Sequence, residues 1–433
     1  ALGEPLFLDV KALFQGKEQS PIVVGGRYGL SSKDTTPSQI VAVFDNLEQK
    51  EPKNDFTIGI VDDVTFKSLP IRNEISIVKP GTTECKFYGL GSDGTVGANK
   101  NTIKIIGGHT DLYCQAYFDY DSKKSGGYTC SHLRFGSAPI KAPYLVSTPD
   151  FVACHVTSYL RKYDVLKGIK TGGTLLLNSI WSEEETIERI PDYCKSVIAK
   201  KKIRLFIINA TKIAAEIGLG NRTNTILQSA FFKITGIIPY EDAVKYMKDA
   251  IVKSYGKKGE DVVNKNFAAV ERGGEYVEVT IPESWSGISA KFETPGKNRL
   301  APSFVKDVAD IVNAQCGDSL PVSAFMEYAD GTMPAGTSAF EKRGVAVNVP
   351  EWNPEKCIQC NTCSFVCPHA AIRPFLLTGE EAEAAPGTVK TAQGKAVLKD
   401  YRFAISISVD DCTGCGNCVD VCLAKDKALS MVP

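Results

Sequence analysis

Two stretches decide how the chain is read: Cys357-Ile-Gln-Cys360-Asn-Thr-Cys363-Ser-Phe-Val-Cys367-Pro368 and Cys412-Thr-Gly-Cys415-Gly-Asn-Cys418-Val-Asp-Val-Cys422. Each is a C-x2-C-x2-C-x3-C run that puts three thiols on a tight loop and a fourth at the start of a helix. Four thiolates in a tetrahedral arrangement are what a [4Fe-4S] cube requires, and in two-cluster ferredoxins the fourth Cys of each run ligates the other cluster. The expected sets are therefore Cys357, Cys360, Cys363 and Cys422 for one cluster, and Cys412, Cys415, Cys418 and Cys367 for the other. Structural zinc, the competing reading, favours two separated C-x-x-C pairs over two such runs. Gly414 and Gly416 flank Cys415 and let backbone N–H groups approach sulfide. Leu423 stands where Pro368 stands after the first run, and 44 residues separate Cys367 from Cys412. The extra length near Glu380–Lys399 reads as a surface excursion followed by a strand, Tyr401–Val409.

The rest of the 433 residues sets the context. Fifty Lys+Arg balance fifty Asp+Glu, which excludes a polybasic nucleic-acid binder, and 43% hydrophobic with 23% charged residues is ordinary for packed domains. The length suits two to four domains. No apolar run of about 18 residues and no signal peptide occurs, so no membrane span is expected. Eight of the fourteen cysteines fall in the last 77 residues, unlike the even density of a secreted disulfide scaffold. The other six, Cys85, Cys114, Cys130, Cys154, Cys194 and Cys316, read as reduced core thiols, and the compartment as reducing. The chain lacks an initiator Met and begins in mid-pattern, which reads as a segment of a longer polypeptide.

Along the chain, residues 1–79 contain a β-like run, Pro21 to Gly26, a helix signal at Thr36-Pro37 with Ile40, Val43, Phe44 and Leu47 in register, and a second run from Phe56 to Val61. Residues 80–290 alternate strands and helices and predict a doubly wound parallel α/β sheet. The strand candidates are Cys85–Leu90, Leu112–Tyr120, Tyr144–Ser147, Phe151–Cys154, Thr174–Asn178 and Arg204–Ile208. Helices are expected over Thr157–Leu166, Ala210–Ile217, Thr223–Thr235 and Tyr240–Tyr255. Residues 291–335 read as a small linker subdomain, and 336–433 as the cysteine module, an α+β fold like a two-cluster bacterial ferredoxin. His109, His132, His155 and His369 form no metal-like or triad-like pair and read as structural, and Trp181, Trp285 and Trp352 as packing anchors.

Gly89, Gly91 and Gly94 form G-x-G-x-x-G between a strand and a helix, where helix N-terminal amides can receive phosphate. The alternative is a strand–helix turn with no ligand. Lys123 and Lys124 follow the next predicted strand at what would be the same carboxyl edge, the edge where open α/β sheets bind ligands. Lysines there suit a phosphorylated ribose, as in NADP or coenzyme A, better than the free diol of NAD. The candidate contacts are Gly91, Ser92, Gly94, Thr95, Asn99, Lys100, Lys123 and Lys124.

Tyr28–Lys33 (YGLSSK), Lys86–Lys100 (KFYGLGSDGTVGANK), Tyr120–Gly127 (YDSKKSGG), Ser131–Gly136 (SHLRFG) and Phe340–Val349 (FEKRGVAVNV), followed by the cysteine module, resemble the pyruvate:ferredoxin (flavodoxin) oxidoreductases. That resemblance runs over nearly the whole chain in the family's order. It implies oxidative decarboxylation of pyruvate with coenzyme A to acetyl-CoA and CO2, with ferredoxin or flavodoxin as electron acceptor, in a homodimeric full-length enzyme. It implies that residues 1–79 end a transketolase-C-like domain, that 80–290 are the gamma-type domain implicated in coenzyme A binding, and that thiamine diphosphate, magnesium and a third [4Fe-4S] cluster belong to domains outside this segment. The reducing compartment read from the cysteines makes a cytoplasmic location the expectation, with an organelle of an anaerobic eukaryote as the alternative. Two alternatives stay open: the same region of a pyruvate:NADP oxidoreductase, and a free-standing electron-transfer and coenzyme A-binding module.

Overall fold

A computed structural model describes residues 3–29, 33–121, 126–294 and 300–433. The chain forms two compact units, Ala1–Thr337 and Ser338–Pro433. Among the described residues no helix is long and apolar enough to cross a membrane.

In the first unit, β1 (Gly26–Arg27) and β2 (Phe56–Thr57) pair in parallel, and the helix Pro37–Leu47 lies between them in sequence. Thr36 caps that helix: its side chain accepts from the Gln39 N–H while the Gln39 side chain reaches back, with Pro37 at the first turn. The main sheet contains β3 (Thr83–Leu90), β4 (Tyr113–Tyr120), β5 (Tyr128–Gly136), β6 (Phe151–Cys154), β7 (Thr174–Asn178), β8 (Arg204–Ile208) and β9 (Val277–Glu278), in the order β4-β5-β3-β6-β7-β8-β9. The sheet is parallel through β3, β6, β7 and β8, as alternating strands and helices predict. Its margins differ from that expectation: β5 runs antiparallel to both β3 and β4, and β9 runs antiparallel to β8. Cys85, Phe87, Leu133, Phe151 and Phe206 turn to one face and pack with Ile105, Phe231, Met247 and Val270, which come from the helices Thr95–His109, Asn224–Thr235, Tyr240–Tyr255 and Glu260–Arg272. Alternate residues such as Leu175, Leu177 and Leu205 are also fully buried, the two-sided burial typical of parallel strands.

Two expected features need correction. The strand ending near Lys123 is not the neighbour of the glycine turn's strand, because β5 lies between them. Tyr144–Ser147 is not a strand: this extended segment satisfies its backbone through side chains. The Tyr144 and Leu145 carbonyls accept from the Arg134 guanidinium at 2.7 and 3.1 Å, the Leu145 N–H donates to Asp34, and the Val146 N–H donates to His132 Nδ1. The Arg134 Nε also donates to Glu84 at 2.8 Å, and both side chains are almost wholly buried. Glu84 sits opposite Arg134 across β3 and β5, so the buried pair pins that register.

The second unit pairs β10 (Val349–Trp352) with β14 (Leu429–Val432), antiparallel, and builds a three-stranded sheet from β11 (Ile372–Leu377), β12 (Ala392–Gln393) and β13 (Arg402–Ile407). The insertion between the cysteine runs carries a short helix, Gly379–Ala384, started by a Thr378–Glu381 capping box, before β12 and the expected strand. Its core is small: Trp352, Ile372, Phe403, Ile405, Cys418, Ala424, Ala428 and Leu429, with Cys357, Cys363, Cys367 and Cys422 packed against it.

Candidate functional sites

The two cysteine loops repeat one backbone pattern. In each, the residue before the second Cys and the residue after it adopt left-handed conformations: Gln359 and Asn361 (φ 62° and 61°), then Gly414 and Gly416 (φ 70° and 80°). A short helix follows each, Thr362–Phe365 and Asn417–Asp420, and carries the third Cys; the fourth, expected to start a helix, comes after its end. Left-handed backbone suits Gly and tolerates Asn. Gln359, the residue it suits least, is held by its own amide, which donates to the Gln393 carbonyl at 2.7 Å and accepts from the Lys395 N–H at 3.0 Å. At Gly414 a Cβ would also meet the Asn348 carbonyl at 3.0 Å.

The turns aim N–H groups at sulfur. Gln359 N–H donates to Cys357 at 3.4 Å and Gly414 N–H to Cys412 at 3.3 Å; Ala371 N–H donates to Cys367 at 3.3 Å and Ala428 N–H to Cys422 at 3.2 Å. Thr362 donates its hydroxyl to Cys360 at 3.3 Å, and that bond holds the Cys360 thiol below its ordinary range. Donors around sulfur stabilise the thiolate, the form that binds metal. Burial pushes the other way at Cys363, Cys412 and Cys418, the last up to about 11.

Cys357, Cys360, Cys363 and Cys422 line one small cavity with Trp352, Ile358, Asn361, Ile405, Ala424, Ala428 and Leu429. These are the four cysteines that the crossed ligation groups together. After burial, the negative neighbours that raise Cys412 are Cys415 and Cys367, so the first run's fourth Cys stands with the second loop. Among the described residues no three His, Cys, Asp or Glu side chains converge as ligands of a single ion. A cube places each of its four thiolates on a different iron, so its ligands stand apart, and the soft sulfur donor set fits it.

The glycine turn follows β3 as expected, and Gly94, with φ 89°, starts the helix Thr95–His109. Its donors are already committed in part. The Asp93 carboxylate accepts from the Leu90 N–H at 2.8 Å, the Thr95 N–H at 2.7 Å and the Thr95 hydroxyl at 2.8 Å, and Thr95 Oγ1 also lies 2.7 Å from His155 Nδ1. Thr95 is thus a buried link in an Asp93–Thr95–His155 chain, while Ser92 and Gly94 are exposed. Asn99 is buried and its Nδ2 has no partner. The Lys100 ammonium lies 5.3 Å from the Phe118 ring centre. Gly91 N–H donates to the Gly127 carbonyl and Asp121 N–H to the Tyr128 carbonyl, so the ends of β3 and β4 flank the start of β5 at one edge. Lys123 and Lys124 lie outside the described residues. Sequence reasoning missed the position of His155 and of Asn224, whose side chain would sit 2.9 Å from a Cβ at Gly94. His155 follows directly on β6, whose carboxyl end shares the edge of β3, and that strand ending was the available signal.

Comparison with known proteins covers most of the chain. The family model described as pyruvate ferredoxin/flavodoxin oxidoreductase matches residues 84–276, a domain of unknown function matches 291–346, and a 4Fe-4S dicluster domain matches 350–423. The pyruvate:ferredoxin oxidoreductase of Moorella thermoacetica is 55% identical over the whole chain, and the pyruvate-flavodoxin oxidoreductase of Klebsiella pneumoniae 52%. The mitochondrial pyruvate dehydrogenase [NADP(+)] of Euglena gracilis is 43% identical over the same span. The chain spans 37% of the length of the first two relatives and 24% of the third. With its sheet, its dicluster module and these relatives together, the chain belongs to the pyruvate ferredoxin/flavodoxin oxidoreductase family.

Proposed function

We propose that this chain is the electron-relay and coenzyme A-binding part of an enzyme that oxidatively decarboxylates pyruvate, with coenzyme A, to acetyl-CoA and CO2. The observation that carries the reading is the cavity walled by Cys357, Cys360, Cys363 and Cys422. When bound, a [4Fe-4S] cluster accepts and releases one electron at a time, which lets a two-electron oxidation be drained in single steps. The protein holds each cluster in place through the two ligand sets, and its amide and hydroxyl donors set the charge that the sulfur atoms can carry. Ferredoxin or flavodoxin takes the electrons, as the names of the relatives suggest. The carbanion chemistry belongs to thiamine diphosphate with magnesium, and the third cluster, like these, to other parts of a homodimeric enzyme. A reducing compartment such as the cytoplasm suits the eight thiolates.

At the glycine turn, the exposed Ser92 and Gly94 with Gly91, and with Lys123 and Lys124 from the β4–β5 connection, offer a phosphate group of coenzyme A its donors. Thr95 and Asn99 support the turn from beneath, and Lys100 stands on the first helix. A second reading, transfer to NADP, draws on the relative from Euglena gracilis and concerns only the acceptor.

The deciding experiment is iron and acid-labile sulfide analysis of anaerobically prepared chain. About eight of each per chain are expected from two cubes. Stoichiometric zinc without sulfide would overturn the assignment.

A further inference from the structure

Trp352 ends β10 and is 4% exposed, yet its indole Nε1, a donor that cannot accept, has no hydrogen-bond partner. A buried donor without a partner forfeits its bonds to water and gains none in return, so native proteins rarely leave one idle. The ring borders two spaces. One is a wide apolar groove of about 660 Å3 lined also by Phe375, Val389 and Ile407; the other is the small cavity of Cys357, Cys360, Cys363 and Cys422. A donor facing the groove, which admits water, would be wetted, but Nε1 is sealed from solvent. Nε1 is covered, and of the two spaces its ring borders the cysteine cavity is the more enclosed. Three of the four thiols in that cavity have donors of their own: Gln359 N–H for Cys357, the Thr362 hydroxyl for Cys360 and Ala428 N–H for Cys422. None of the four sulfurs serves Nε1.

Resting on the reading that this cavity holds a cluster, the geometry points to Trp352 as a hydrogen-bond donor to that cluster's inorganic sulfide. The sequence offered Trp352 only as a packing anchor, and its packing is real: its ring meets Phe403 edge-on at 6.0 Å. The nitrogen adds a second role. An N–H aimed at sulfide stabilises the more electron-rich, reduced cluster and raises its potential. Trp352 thus sets the potentials of the two clusters apart, acting on the one bound by Cys357, Cys360, Cys363 and Cys422 and leaving the other untouched.

The test uses the full chain with both clusters loaded. Trp352→Phe keeps the aromatic ring and removes the donor. In a potentiometric titration followed by electron paramagnetic resonance, one cluster should become harder to reduce while the other keeps its potential. An unchanged pair, or an equal shift of both, overturns the proposal. Because the variant could fail to load, wild-type chain labelled with indole-15N tryptophan supplies an independent readout. The chain has three tryptophans, and Trp181 and Trp285 belong to the other unit. Pulsed resonance should show a nitrogen coupling on one reduced cluster, and its absence overturns the proposal even if Trp352→Phe is unstable. Iron and sulfide analysis of the same samples separates this failure from failure of the cluster assignment, which would appear as zinc without sulfide.

Discussion

His132 shows how a single side chain can make the first unit sensitive to acid. It is buried on β5, its Nδ1 accepts from the Val146 N–H, and burial, then the positive charges of Lys86 and Arg134, push its pKa down to about 3. The folded state therefore holds the ring neutral, while the unfolded chain titrates near 6.5. Because the folded value is the lower, the stability is complete above pH 6.5 and is lost as pH falls from there toward 3. By pH 5 the loss should be about 2 kcal/mol. Chemical denaturation of the first unit at pH 7 and pH 5 tests this: wild type should lose about that much more than His132→Gln. Equal losses in the two proteins would sink the argument.

At the scale of elements, the edge formed by the ends of β3 and β4 yields a prediction for coenzyme A. In the full-length enzyme, Lys123→Ala or Lys124→Ala should raise the apparent constant for coenzyme A about tenfold or more, since a lysine–phosphate contact contributes roughly 1.5–3 kcal/mol. Pyruvate dependence should hardly move, and steady-state kinetics with each substrate varied in turn would check both. No change for coenzyme A would leave the turn a structural connection. The elements the sequence made legible are those whose cause is local. The Tyr240–Tyr255 helix follows from periodicity, Thr36 from its capping pattern, and the cysteine loops from spacing alone. What was not legible depends on distant partners. β5, which carries His132 and Arg134 inside a sheet, was not among the expected strands, and the buried arginine is accommodated there by Glu84, 50 residues earlier, together with the Tyr144 and Leu145 carbonyls. The same arginine consumes the carbonyls that would have made Tyr144–Ser147 a strand. At the glycine turn, Asp93 and His155 occupy donors that the motif alone assigns to phosphate.

For the whole molecule, the two units differ in what keeps them folded. The first has a large core of buried Phe, Leu and Ile, whereas the second packs Cys357, Cys363, Cys367 and Cys422 against a core of eight residues that includes Cys418. In such a module metal binding is itself folding free energy. Stripping iron anaerobically from the intact chain should expose 338–433 to limited proteolysis and leave the seven-stranded sheet protected. Cleavage sites mapped by mass spectrometry would report this, and protection of the second unit without iron would contradict it.

The cavity beside Trp352 takes three of its cysteines from 357–363 and the fourth from position 422. On a ribosome, the first three emerge well before the fourth has been translated. The nascent chain passes through an interval in which a nearly complete thiol loop waits for its last wall, open to oxidation or to a stray metal ion. The four-cysteine wall of this cavity is complete only once Cys422 has been synthesised.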